Sequence, residues 1–182
     1  TWTTCHDKFQ CATLKVPIGY SNESLGQFDI AVIRYRDPNQ NNRIGSLVVN
    51  PGGPGVSGVD YVLSAQYIVN PDVLERYDIV GFDPRGIGLS SPIACLSDSE
   101  QEASLTSDAK PDNEAEYAQA LKDTQEFIDK CVAKTPNLAH YSTREAAKDI
   151  ELLRQALGDK QLNYLGFLFN SIRLIEKIGI KI

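Results

Sequence analysis

The sequence has no methionine, one tryptophan and only two histidines in 182 residues. Because Met is absent, we expect that Thr1 is not the natural start, and that a leader was removed or the chain was cut for expression. The sequence also lacks a run of basic residues, and its apolar stretches are too short to span a bilayer. Together with a net charge of −6, these absences argue against nucleic acid and against an anionic membrane surface as partners.

The four cysteines, Cys5, Cys11, Cys95 and Cys131, allow three disulfide pairings. Cys5, His6 and Cys11 lie close together in the sequence, but no CxxC pair or second ligand cluster completes a tetrahedral metal site. Four buried thiols in a cytosolic protein are the alternative. The even count and the absence of Met favour two disulfides in an exported protein.

The apolar periodicity predicts an α/β domain. In chain order we expect strands at 10–16 and 27–36, a hairpin connection at 21–26, a strand at 46–50, a helix at 58–69, a strand at 77–82, a polar mobile segment at 98–113, a helix at 114–135, a helix at 142–157 and a strand at 162–166. Ser142 and Glu145 match a capping box, and Gly158 ends that helix. Strands that alternate with helices predict a mostly parallel sheet with helices on both faces.

The glycine loop, PGGPGVSG at residues 51–58, follows a predicted strand and precedes a predicted helix. Its Gly53–Gly58 part matches the dinucleotide-binding fingerprint G-x-G-x-x-G, with Asp83 as a candidate ribose-binding acid. Two strands precede this motif, although it normally follows the first strand of its sheet, and Asp83 begins a tight loop of its own. A dinucleotide-binding oxidoreductase is therefore the less favoured interpretation.

The glycine loop also suits an oxyanion hole, which needs bare backbone close to a substrate oxygen. Four glycines and two prolines in eight residues exceed what a plain turn requires, although a plain turn stays open as an alternative. In α/β-hydrolases one N–H donor lies in the loop after the third strand, and the other belongs to the residue after the nucleophile. We therefore assign the first donor to Gly53, with Gly52, Pro54 and Gly55 shaping the loop.

Longer motifs define a resemblance that extends over nearly the whole chain up to Gly166. They are NPGGPGVSG, YDIVGFDPRGIGLSSP with a cysteine after it, a long helix with a second cysteine, STREAAKDIELLRQALG and LNYLG. The chain resembles the exported tripeptidyl and prolyl aminopeptidase family of serine hydrolases. The resemblance implies an α/β-hydrolase fold, export, a peptide substrate, no cofactor and no metal. It also places Asp83, Arg85 and Gly86 in a second loop (residues 83–92) beside the active site.

The family motif Gly-x-Ser-Tyr-Gly aligns with Gly-Phe-Leu-Phe-Asn at residues 166–170. This motif forms a tight strand-to-helix turn that exposes the serine. Leu168 therefore occupies the position of the nucleophile and has no hydroxyl, while Phe169 would provide the second oxyanion N–H. Asn170 adds a Cβ where the helix must approach the strand. Ser171 lies outside the motif and is interpreted as an ordinary helix residue.

The catalytic acid and histidine of the resemblance lie after the serine in sequence. The only histidines here, His6 and His140, precede residue 168, so no acid–histidine pair can be assigned. We interpret residues 1–166 as the N-terminal part of an α/β-hydrolase domain, truncated at the nucleophile, and residues 167–182 as a divergent isoleucine-rich tail. A reading-frame change and an artificial end both explain that tail.

The resemblance implies the function of a secreted serine aminopeptidase, and we expect this chain alone to be inactive. A non-catalytic protein that binds peptides or a partner, or a truncated gene product, is the alternative. Ending the sheet at strand 162–166 would leave an apolar edge, so we expect self-association or a second chain that completes the sheet.

Two further expectations concern side-chain pairs. Asp83 and Arg85 would pair with each other or with the glycine loop, and two solvated turn charges are the alternative. Cys5 would pair with Cys11, its near neighbour in sequence. Cys95, which follows the second loop, would then pair with Cys131 on the apolar face of the long helix.

Overall fold

The apolar runs of the sequence form the middle of one mixed sheet in this computed structural model, which describes residues 1–53, 55–108 and 110–167. The described strands are β1 (Thr3–Cys5), β2 (Phe9–Gly19), β3 (Asn22–Tyr35), β4 (Gly45–Asn50), β5 (Tyr77–Phe82) and β6 (Asn163–Gly166). Their order across the sheet is β1-β2-β3-β5-β4-β6. The pairings β1–β2, β2–β3 and β3–β5 are antiparallel, and only β5, β4 and β6 run parallel.

The described helices are α1 (Gly58–Val62), α2 (Ala65–Ile68), α3 (Pro71–Leu74), α4 (Asp98–Thr106), α5 (Glu114–Lys134) and α6 (Thr143–Leu157), with a 3₁₀ turn at Leu138–His140. The helix predicted at 58–69 is interrupted between α1 and α2, so that expectation was wrong. The polar segment at 98–113, where no helix was predicted, contains α4. The hairpin connection predicted at 21–26 was also wrong. The strands β2 and β3 are longer than expected, and only Tyr20 and Ser21 lie between them.

The chain divides into two compact units. The sheet unit comprises Thr1–Pro92 and His140–Ile182, and the helical unit comprises Ile93–Ala139. In the sheet unit, one face of the sheet packs against α6 through Ala147, Ile150 and Leu153. The other face packs against α1 and α2 through residues such as Val62 and Ala65. Helices therefore cover both faces, as the sequence predicts.

Both predicted disulfides are present in the structure, Cys5–Cys11 in the sheet unit and Cys95–Cys131 in the helical unit. Among the described residues of the helical unit, these last two cysteines are the only buried side chains. The helices α4 and α5 thus have almost no core of their own apart from the disulfide. None of the helices in the described ranges is long and apolar enough to cross a membrane.

A buried carboxylate fixes the edge of the sheet where the parallel strands begin. Asp78, at the start of β5, is fully buried. Arg36 donates to its two oxygens at 2.9 and 2.6 Å, and Arg43 donates at 2.9 Å. Burial alone would raise the pKa of Asp78, but these hydrogen bonds and positive charges lower it below its ordinary value. The pair of arginines thereby anchors the chain on both sides of the turn that leads into β4.

Candidate active site

The parallel strands β4, β5 and β6 end side by side, so the loops that follow them meet at one edge of the sheet. Asn50 at the end of β4 pairs with Gly166 at the end of β6. The N–H of Phe167 then donates to the carbonyl of Asn50 at 3.0 Å. The Phe167 ring lies edge-on to Tyr61 of α1, with centroids 5.9 Å apart. The described chain therefore ends, just before residue 168, at the edge of the sheet where the glycine loop lies. Ligands of open α/β sheets bind at this edge.

The glycine loop adopts a backbone that side chains disfavour. Gly52, Gly53 and Gly55 have φ angles of +85°, +124° and +95°, in the region that favours glycine. A Cβ on Gly53 would also lie only 2.8 Å from the amide nitrogen of Gly55. The side chain of Asn50 fixes the start of the loop by accepting from the N–H of Gly52 at 2.8 Å. Within the described ranges no acceptor contacts the N–H of Gly53, so it is available to an external oxygen.

Asp83 connects the glycine loop to the second loop. Its side chain is 1% exposed, and its Oδ1 accepts from the Ser57 hydroxyl at 2.6 Å and from the N–H of Val59 at 3.1 Å. Oδ2 accepts from the N–H of Leu89 at 2.9 Å. A carboxylate at the N-terminus of a helix is stabilised by the exposed N–H groups and the helix dipole. The expected pairing with Arg85 is wrong, whereas a link to the Ser57 end of the glycine loop is present.

Arg85 is 5% exposed and forms a buried ion pair with Asp149 of α6. Nε donates to Oδ2 at 2.8 Å and Nη2 to Oδ1 at 2.6 Å. The other donors bind the carbonyl oxygens of Ile18, His140 and Pro17 at 2.8, 2.8 and 3.2 Å. The alternative of solvated turn charges is therefore wrong for Asp83 and Arg85 alike. Arg85 instead joins the second loop to β2, to the 3₁₀ turn and to α6.

Sequence reasoning missed Asp149, although a signal was available. It lies one residue before Ile150 on the helix face that contains Ala146 and Leu153, where an acid is out of place. Tyr20 donates its hydroxyl hydrogen to Asp149 at 2.8 Å. Burial raises the pKa of Asp149, although the Arg85 charge opposes this. Burial and the neighbouring carboxylate also raise the pKa of Tyr20.

The predicted capping box at the start of α6 is only half formed. Ser142 accepts from the N–H of Glu145 at 3.3 Å. The Glu145 carboxylate does not return to Ser142 but accepts from the N–H of Tyr20 at 2.9 Å. Burial acts to raise the pKa of Glu145, but this hydrogen bond and Lys148 lower it overall. Glu145 thus fixes the β2–β3 turn against α6, which a local motif could not predict.

A depression of about 220 Å³ lies between the two loops and the start of α6. Its lining residues are Asn50, Gly52, Gly55, Val56, Pro84, Arg85, Ile87, Tyr141, Ser142, Thr143 and Ala146. Gly86, at φ +86°, closes the second loop by donating its N–H to the carbonyl of Ser90 at 2.8 Å. The lining residues therefore come from both loops, from the end of β4 and from the start of α6, and Gly53 is not among them.

The remaining candidate residues are placed as follows. Pro54, Leu168 and Phe169 lie outside the described residues. The His140 ring packs on Gly19, since a Cβ there would lie 2.7 Å from its Cε1, and His6 lies in the Cys5–Cys11 loop. In the described part of the chain no group of three or more His, Cys, Asp or Glu side chains could hold a metal.

The dinucleotide interpretation does not fit the observed contacts. The Asp83 carboxylate already accepts three hydrogen bonds in a buried position, so it is not presented to a ribose. The same carboxylate occupies the N-terminus of α1, where a cofactor pyrophosphate would have to bind. That helix is also only five residues long.

Comparison with known proteins agrees with this geometry. The chain matches the alpha/beta hydrolase fold family over residues 45–167. It is 39% identical over 165 residues to serine protease Hip1 of Mycobacterium tuberculosis, which covers 88% of this chain and 31% of that protein. It is 35% identical over 166 residues to a tripeptidyl aminopeptidase of Streptomyces coelicolor, with coverages of 89% and 31%.

A third relative is carboxylesterase B of Mycobacterium tuberculosis, 36% identical over 169 residues, with coverages of 86% and 32%. The chain spans about a third of the length of these relatives. The family match covers more than half of the chain and includes β4, β5, β6 and both loops. The chain therefore belongs to the alpha/beta hydrolase fold family.

Proposed function

We propose that this chain is the oxyanion-binding N-terminal part of an exported serine hydrolase of the tripeptidyl-aminopeptidase type, and that it does not hydrolyse peptides by itself. The observation behind the proposal is the N–H of Gly53, which no described acceptor contacts and which lies in the glycine loop after the end of β4. Such a donor stabilises the negative charge of a tetrahedral intermediate without reorganising during the reaction. Two of the three relatives are named as a serine protease and an aminopeptidase, which supports a peptide substrate, whereas the third is named as a carboxylesterase.

Export is supported by the two disulfides, because such bonds persist in oxidising compartments. The expected lack of activity has two chemical reasons. Leu168 offers no hydroxyl for attack on a carbonyl, and the sequence has no histidine after residue 140. Removing a catalytic serine leaves only the small acceleration that binding and the oxyanion hole provide.

The first experiment measures activity directly. We expect no release of p-nitroaniline from tripeptide p-nitroanilides, and no hydrolysis of p-nitrophenyl esters, above a heat-denatured control. A fluorophosphonate probe should leave the chain unlabelled. Labelling of Ser171 would show that a nucleophile survives and that the alignment at residues 166–170 is wrong. The triple variant Leu168→Ser, Phe169→Tyr, Asn170→Gly should remain inactive, because an acid and a histidine are still missing.

A second experiment separates a broken peptidase from a retained binding protein, since both predict inactivity. The genomic sequence beyond the Gly166 codon would contain Gly-x-Ser-Tyr-Gly in another frame if the chain derives from an active peptidase. A protein repaired in that frame should hydrolyse the p-nitroanilides. An uninterrupted natural gene that encodes Leu168 in many copies would instead support the non-catalytic alternative.

A further inference from the structure

The helical unit has an apolar helix face that no described part of the chain covers. On α5, Tyr117, Leu121, Ile128 and Val132 fall within an arc of about 60° at 100° per residue. Their exposed fractions are 59%, 55%, 45% and 59%. Phe127, 45% exposed, borders this stripe. Large contiguous apolar patches on a protein surface mark interaction sites more often than chance placement.

The charge of the chain is concentrated in the same unit. Residues 93–139 contain ten Asp and Glu side chains but only four lysines, a net charge of −6. This equals the net charge of the whole chain, so the sheet unit is neutral overall. Lys130, one of the four, is already paired with Glu100 and Glu126 at 2.8 and 2.7 Å. The helical unit therefore presents a negative field around its exposed apolar stripe.

The helix geometry places acids on both sides of the stripe. Asp129 lies about 60° beyond Val132, and Asp123 lies about 40° beyond Phe127 on the other side. Neither carboxylate forms a salt bridge within the described residues. Asp123 accepts a hydrogen bond from Gln119 at 2.8 Å, and Asp129 accepts one from Gln125 at 2.9 Å. An apolar surface flanked by free negative charge is complementary to a helix that is apolar on one face and basic beside it.

We propose that the α5 stripe is a docking surface for a cationic amphipathic helical segment of a partner protein. Apolar side chains of the partner would cover Leu121 and Ile128, and its Lys or Arg side chains would approach Asp123 and Asp129. The charge excludes nucleic acid and anionic lipid as occupants, because both would be repelled. This inference does not depend on hydrolase activity, since it concerns a unit that contains none of the candidate active-site residues.

The test uses the full chain and a fluorescein-labelled synthetic peptide of leucine and lysine, about 18 residues long, that forms an amphipathic helix of about five turns. Fluorescence anisotropy should detect saturable binding that weakens about threefold or more between about 0.05 M and about 0.3 M NaCl. A scrambled peptide of the same composition, and a leucine–glutamate version, should bind at least about tenfold more weakly.

Matched variants identify the surface. Leu121→Ser with Ile128→Ser should weaken peptide binding about tenfold or more. Ile44→Ser with Tyr67→Ser, two exposed apolar side chains of the sheet unit, should leave binding unchanged. Asp123→Asn with Asp129→Asn should weaken binding at low salt and remove most of its salt dependence. Circular dichroism spectra that match the unmodified chain establish that each variant is folded.

Three outcomes would overturn the proposal. Equal binding of the scrambled peptide would mean that charge alone attracts it. Unchanged binding by the Leu121→Ser, Ile128→Ser variant would place the contact elsewhere. No peptide binding, together with sedimentation showing that this variant converts an oligomer to a monomer, would identify a second copy of the chain as the occupant.

Discussion

Replacement of Arg85 by methionine tests the buried network that holds the second loop. The change removes five hydrogen bonds and leaves the Asp149 carboxylate buried with only the Tyr20 hydroxyl as a partner. Breaking one side of a buried ion pair costs about 3–5 kcal/mol. Folded domains have unfolding free energies of about 5–15 kcal/mol, so the variant should lose a large share of its stability.

The double variant Arg85→Met, Asp149→Leu separates loss of the ion pair from loss of packing. Replacing both charges by apolar groups of similar volume is often nearly neutral. We therefore expect the double variant to be more stable than Arg85→Met alone. With the single variant Asp149→Leu measured as well, a coupling free energy of about 2–3 kcal/mol between the two positions is the expected result.

The pH dependence of the Arg85→Met variant has a definite sign. Without the Arg85 charge, burial keeps the pKa of Asp149 above its unfolded value of about 3.9, so the native state binds the proton more tightly. Its unfolding free energy should therefore rise as the pH falls towards about 4, by at most about 1.4 kcal/mol per pH unit. The rise should be larger than in the unmodified chain, where Arg85 favours the charged carboxylate.

Urea unfolding followed by far-ultraviolet circular dichroism measures all three quantities. The reasoning is refuted if Arg85→Met costs less than about 1 kcal/mol at pH 7, because the pair would then behave like a solvated one. A double variant less stable than the single variant would also contradict it. If Arg85→Met does not fold at pH 7, the folded double variant and the recovery of the single variant near pH 5 still decide the question.

Four other results are expected. Gly58→Ala should cost about 1–3 kcal/mol in urea unfolding, because the added Cβ would overlap the backbone carbonyl at the end of β5. The destabilisation caused by Asp78→Asn should be largest at neutral pH and shrink below about pH 4, because the lowered pKa of this carboxyl adds stability only while it is ionised; equal destabilisation at pH 3 and pH 7 would contradict this. Replacing Cys95 and Cys131 by alanine should cost about 3–4 kcal/mol and melt the helical unit first, and non-reducing peptide mapping of the unmodified chain should recover this pair. In sedimentation at micromolar concentration we expect self-association on the β6 side of the sheet, where β6 is the last of the described strands; a dilution-stable monomer that does not bind ANS would contradict it.

Most elements of the sheet unit could be predicted because their signals are local. The buried strands β4 and β5 are short apolar runs, and α6 has both a serine cap and a terminal glycine. Its end at Gly158 is confirmed by a φ angle of +76°. The helix α4 could not be found by periodicity, because none of its side chains is buried and its sequence has no apolar face. Its start is nevertheless marked by the Ser97–Glu100 capping box.

The candidate site also has some features that local sequence predicts and others that it does not. The glycine loop could be identified from its composition. Glycine and proline each favour particular backbone conformations, whatever their surroundings in the fold. A link between Asp83 and the glycine loop was one of the two predicted pairings, but Asp149, the partner of Arg85, was not identified, because it lies 64 residues away in the chain. Such pairs depend on which strand edge and which helix face the fold brings together, and no local pattern encodes that distance.

The buried position of Asp83 means that the glycine loop does not need a bound ligand to keep its conformation. At many helix N-termini an external phosphate accepts hydrogen bonds from the exposed N–H groups. Here the side chain of Asp83 takes that place and accepts three internal hydrogen bonds. The conformation of the glycine loop is therefore set by contacts within the chain, and it should persist whether or not a ligand is bound there.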